Sequence, residues 1–170
     1  FDTITISTEF GAMYLAKFDE DGNIMWLNSY LGDSTNFVPV TSGDMALDPT
    51  GNGVVISGVF KGSLDIAGTT LTESSVLAND LFIAKFDPAG NGLWAKQSHG
   101  VAEPVRVYDM SANDEGDVFI AMRVFNSMGL TPFTLGEGAN AATITLDATT
   151  NGVLAKYASN GDLDWMKVMF

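Results

Sequence analysis

The sequence has 170 residues, 46% of them hydrophobic and 17% charged, which is enough apolar material for one ordinary domain with a core and excludes a disordered segment. Eight basic against 21 acidic side chains leave a formal charge of -13, so phosphate backbones and anionic headgroups are repelled, and neither nucleic acid nor membrane insertion is expected. With no cysteine, disulfides, thiolate metal sites and a cysteine nucleophile are excluded.

In chain order, the first phrase is "AKFDEDGNIMWLNS" at residues 16 to 29. An apolar and aromatic run meets a cluster of Asp, Gly and Asn, then a second run leaves, the pattern of two strands and a tight turn. "MALDPTGNGVVISGVF" at 45 to 60 reads the same way, and the connector "KGSLDIAGTTLTESSVLAND" follows it. The first phrase then returns as "AKFDPAGNGLWAKQ" at 84 to 97, the second as "MSANDEGDVFIAMRVF" at 110 to 125, and the first again as "AKYASNGDLDWMKV" at 155 to 168. Between the last two lies a second long connector, "NSMGLTPFTLGEGANAATITLDATTNG". A weaker echo, "TITI" at 3 to 6, "TTLT" at 69 to 72 and "TITL" at 143 to 146, precedes each copy of the first phrase.

The spacing is regular. Lys17, Lys85 and Lys156 step by 68 and then 71, as do Trp26, Trp94 and Trp165, and such periods mark repeat architectures. Each turn has a mechanism: an Asp or Asn at its first position caps its own backbone, and Gly22, Gly51, Gly90 or Gly116 supplies the positive φ that closes the hairpin with a bulge; in the last turn Ala158 replaces the Asp, and Asn160-Gly161 carries the turn. No window of a dozen residues has helical periodicity. The expected fold is therefore all-β: tandem four-stranded antiparallel blades, about two and a half units of a β-propeller-like repeat. The half unit covers 1–30, one full unit 43–98 and a second 108–169. Closed propellers need typically four to eight blades. A chain of this size that opens on Phe1 is expected to be a segment of something longer or an assembling subunit.

In the order of these phrases, "DLFIAKFDPAGNGLWAKQSHG" followed by "MSANDEGDVFIA", together with "MALDPTGNGVVISGVFKGSLDIAGTTLT", the chain resembles the bacterial β-propeller repeat of exported and cell-surface proteins (SBBP-type repeats). The usual repeat is shorter, and the excess here lies in the two connectors, read as long links between second and third strands. The resemblance implies a non-enzymatic structural or interaction module of adhesion type, outside a bacterial cell or on its surface, with a protein or glycan partner or with itself. An alternative is a subunit of an extracellular filament or surface layer whose "TITIST" start adds as a strand to a neighbour's sheet. A third reading is a fragment of a propeller hydrolase or lyase.

For the repeated residues the structural reading comes first. Trp26, Trp94 and Trp165 are expected to pack at joints between units, with sugar-stacking platforms as the alternative. Lys17, Lys85 and Lys156 are expected to pair with an acid of the same or next unit, such as Asp19, Asp87 or Asp109. Asp19, Asp21 and Asn23 have the 1-3-5 spacing of a calcium loop, but Ile24 stands where that loop needs Gly and Tyr30 where it needs Glu. No other cofactor is expected. His99, the sole histidine, is read as an exposed loop residue, and neither G-x-S-x-G nor phosphate-binding glycine motifs occur.

Overall fold

The structure is a computed structural model that describes residues 12–31, 40–75, 79–100, 103–125, 131–146 and 150–169. The "TITI" echo at 3 to 6, and with it the "TITIST" edge strand, lies outside the described residues. Among the described residues fifteen strands run in chain order: β1 Ala12–Phe18, β2 Ile24–Leu31, β3 Thr41–Leu47, β4 Val54–Phe60, β5 Ser63–Ile66, β6 Thr69–Thr72, β7 Asp80–Phe86, β8 Gly92–Gln97, β9 His99–Gly100, β10 Glu103–Ala112, β11 Val118–Phe125, β12 Thr131–Leu135, β13 Ala142–Leu146, β14 Thr150–Tyr157 and β15 Leu163–Met169. Helix is limited to one 3₁₀ turn, Gly138–Asn140, among the described residues.

Two four-stranded antiparallel meanders are formed, a middle sheet β3-β4-β7-β8 and a closing sheet β10-β11-β14-β15; β1 and β2 pair alone as an opening sheet. The opening pair corresponds by repeat to the third and fourth strands of the other two sheets. Each connector leaves between the second and third strand and carries a hairpin of its own. That hairpin is β5-β6 in the middle unit, and β12-β13 in the closing unit, where β9 adds to β12 as a third strand. The echoes TTLT and TITL are the second strands of these hairpins.

The five turns share one geometry. In each, the Asp, Asn or Ala at the first position exchanges backbone hydrogen bonds across the turn, and the glycine three residues on lies at φ between 79 and 88°. This is a left-handed position that costs an L side chain strain but not glycine. At the turns after β1, β7 and β14 the strand register shifts by one residue, the bulge that such a turn brings.

Apolar side chains alternate along the strands, so each sheet offers a face to its neighbour and the core divides into two slabs. Met13, Leu15 and Tyr30 of the opening sheet meet Ile56, Phe82 and Phe86 of the middle sheet. The opposite face of the middle sheet, with Val55, Leu81 and Ile83, meets Ile120, Val153 and Tyr157 of the closing sheet. β4 and β7 are thus buried on both faces. The first strands of the two full sheets also touch directly: the Asp44 carboxylate, set at a bulge in β3, accepts the Met110 N–H of β10 at 2.7 Å.

Candidate functional site

Two recurrent side chains and one turn build each joint between sheets. Trp94, on β8, lies over Gly161 in the turn before β15, whose ring-facing Cβ position would be only 2.8 Å from the indole. Its Nε1 donates to the Ser159 carbonyl at 3.1 Å, and Lys85 Nζ reaches the same oxygen at 3.5 Å. One unit earlier the arrangement is the same. Trp26 lies over Gly90 at 2.8 Å and donates to the Pro88 carbonyl at 3.0 Å, the oxygen that Lys17 also reaches, at 3.2 Å. A carbonyl given two cationic or polarised N–H donors makes a specific contact, and the bare glycine lets the ring approach closely. No turn of a further unit lies over Trp165 among the described residues. Its ring lies 6.3 Å from Phe119, and its Nε1 has no hydrogen-bond partner among the described residues.

Two of the three lysines are paired with acids of their own unit, but not with Asp19, Asp87 or Asp109; Lys17 has no acid partner among the described residues and reaches only the Pro88 carbonyl. Lys85 meets Asp48 at 2.7 Å with both side chains buried, and Lys156 meets Asp117 and Asp164, each at 2.8 Å. The reason is cross-strand geometry: Lys85 stands opposite Val55 on β4, beside the turn where Asp48 sits, whereas Asp19 and Asp87 are spent on their own turns. Burial works to raise the Asp48 pKa, but hydrogen bonds from Lys85 and Thr50 more than offset it and hold the carboxyl below its usual range. The Lys156 ammonium, hydrogen-bonded to Asp117 and Asp164, is pushed up, while that same bond from Lys156 holds Asp117 down.

Asp19, Asp21 and Asn23 form a turn that closes on its own N–H groups. The Asp19 carboxylate accepts from the backbone of Asp21 and Asn23 and from Asn23 Nδ2, and the Asn23 side-chain bond leads in lowering its pKa. Asp87 makes the same three bonds with Ala89 in the place of Asp21, so the turn needs no second acid. His99 is not an exposed loop residue: it is half-buried on β9 opposite Thr134, because the two residues after Gln97 extend as a strand against the closing unit's connector hairpin. Nearby, Ser74 Oγ donates to Asp80 Oδ1 at 2.9 Å, and its backbone N–H to Oδ2 at 2.6 Å. Burial of Asp80 leads in raising its pKa. These bonds fix the end of the β5-β6 connector onto β7.

A cleft of about 670 Å³ lies beside the first joint, between β2 and the tip of the β5-β6 hairpin. Asn28, Ser29, Asp65, Thr69 and Thr70 supply amide, hydroxyl and carboxylate groups, and Tyr30 and Phe86 form its floor. The tip turns at Ala67 and Gly68, both at positive φ, and folds back over Gly92 of its own unit. At the second joint the equivalent gap is bridged. Lys96, which stands where the first joint has Asn28, is paired with Glu137 of the other connector at 3.1 Å. This cleft was not anticipated from sequence, since it is made by the connectors rather than by the repeated phrases.

Among the described residues no three His, Asp or Glu side chains gather to hold a metal, and no helix is long and apolar enough to cross a membrane. No family model matches the chain. It is similar to an uncharacterized WD repeat-containing protein of Acanthamoeba polyphaga mimivirus, 26% identical over 88% of this chain and 13% of that protein. WD repeats build four-stranded propeller blades. The likeness is therefore to a β-propeller type of repeat, coarser than the bacterial repeat that the motifs resemble.

Proposed function

We propose that the chain is a β-propeller-type interaction module that holds a segment of a partner protein in the cleft between β2 and the β5-β6 tip. The observation that carries this is the contrast between the joints: the repeated Trp and Lys hold both together alike, yet the gap bridged by Lys96 and Glu137 at the second is open at the first. The open cleft offers hydroxyl, amide and carboxylate groups above an aromatic floor, which suits an extended polar segment that places a few apolar side chains inward.

Panning a displayed peptide library on the folded chain tests the reading, with Thr69→Trp as the control that fills the cleft from an exposed position. Peptides that bind the natural sequence and lose the filled variant, at an unchanged thermal midpoint, support it. Peptides that bind both equally reject the cleft, and binders found only on a glycan array would replace the protein partner by a glycan.

The proposed setting is the exterior of a bacterial cell, with an adhesive role. Its support is the resemblance of the repeated phrases to exported propeller repeats and an acidic, cysteine-free composition. Antibody against the chain should label intact source cells; labelling only after lysis would reject that location.

A further inference from the structure

The bridged gap at the second joint shows what the open cleft at the first is missing. At the second joint the fourth strand of the middle sheet supplies an ammonium, Lys96 on β8, the next connector supplies an acid at its tip, Glu137, and the two meet at 3.1 Å. At the first joint the connector's half of that arrangement is kept. Asp65, on β5 two residues before the turn at Ala67 and Gly68, is exposed and lines the cleft. Its Oδ1 accepts from the Thr70 hydroxyl across the hairpin, which orients the carboxylate, and its Oδ2 has no hydrogen-bond partner among the described residues. The strand's half is not kept. Asn28, at the position of Lys96, carries no charge, and its Nδ2 donates to the Gly90 carbonyl at 2.7 Å.

No cation of the chain balances this carboxylate. Among the described residues that line the cleft, Asp65 is the only charged one. Lys17, the basic residue of this joint, is turned to the Pro88 carbonyl and does not line the cleft. Lys61 precedes the hairpin at its root, where Glu73 accepts the Gly62 N–H. An oriented carboxylate in a cleft, on a chain with a formal charge of -13, attracts a cationic group and repels an acidic one.

We infer that the segment held in the cleft presents a basic side chain, lysine or arginine, to Asp65, in the role that Lys96 plays at the second joint. The inference rests on the cleft reading above and adds which segments the cleft selects. A long basic side chain suits both parts of the site. Its head donates to the free Oδ2 in a charge-assisted hydrogen bond, and its aliphatic stem covers the aromatic floor of Tyr30 and Phe86.

The peptides panned on the folded chain are the probes. Those that bind the natural sequence and lose the Thr69→Trp variant should share a Lys or Arg at one position. Replacing that Lys by acetyl-lysine, or that Arg by citrulline, keeps the stem and removes the charge, and should weaken binding at least about tenfold. Asp65→Asn, which keeps an acceptor for Thr70 at an exposed position, should weaken the unmodified peptide by the same factor and leave the neutral peptide unchanged. A library panned afresh on Asp65→Lys should yield Asp or Glu in place of Lys or Arg. Cleft-dependent peptides without a basic preference, or with equal affinity for Asp65→Asn, overturn the inference and leave the cleft reading standing. A library with no cleft-dependent peptide overturns both.

Discussion

Trp94 and Trp165 occupy the same repeat position with different surroundings, and that difference sets what each is worth. Trp94 is half-buried at a joint and bonded to Ser159, so Trp94→Ala should cost about 3 kcal/mol in a denaturant titration. Trp165→Ala, measured on dilute protein, should cost under about 1 kcal/mol. Equal losses would mean that the ring serves its own sheet and not the joint. The Asp48–Lys85 pair is the other costly residue-level feature, since both side chains are out of water and either charge alone would be stranded. Asp48→Ala should destabilise by about 3 kcal/mol. Its pH dependence has a definite sign. A carboxyl held below its unfolded value of 3.8 contributes stability above that value and loses it as the pH falls through the folded pKa; Asp19, Asp87 and Asp117 shift in the same sense, and Asp80 in the opposite one. The denaturation midpoint should therefore fall on acidification from about pH 4 to about pH 2, and less steeply in Asp48→Asn. A midpoint that rises over that range would contradict the assignment.

At the scale of the element, the meanders depend on close backbone approach where strands cross. A Cβ on Gly58 would collide with the Thr41 carbonyl and the Phe82 ring, so Gly58→Ala should separate β3 from β4 and lower the thermal midpoint by several degrees, an effect of about 2 kcal/mol. The same substitution at Gly68, which has open space around it, should cost only the strain of its positive φ. The core strands were legible in sequence because each hairpin carries both signals at once: alternating apolar residues, and a turn whose Asp or Asn and Gly have no other simple use. The connectors were not. TTLT and TITL stood out as echoes, but the partner strand in "SLDIAG" turns on Ala67 at φ 49°, a left-handed position that sequence marks only with the following Gly68. The lysines' partners were equally hidden. Asp48 precedes Lys85 by a whole connector, and only the pairing of β4 with β7 brings them together.

In the whole molecule, the middle sheet belongs to both core slabs and the opening sheet to one. Stability in such a stack is a sum over units and their joints, so the ends should open first. Hydrogen exchange should show the slowest amides in β4 and β7 and faster exchange in β1, whose outward side chains lack a neighbour in the single chain. Uniform protection across all three sheets would instead indicate that the stack opens only as one body.

Each tryptophan at a joint addresses a main-chain oxygen, contributed in turn by Pro88 and Ser159, residues with nothing in common but their place in a turn. What is recognised is a backbone shape that any residue can present, provided a glycine follows two places later. A unit that docks in this way needs no matching change in its neighbour when it is copied, deleted or exchanged. Arrays of such units could lengthen by duplication in a single genetic step, leaving the connectors free to diverge toward new partners.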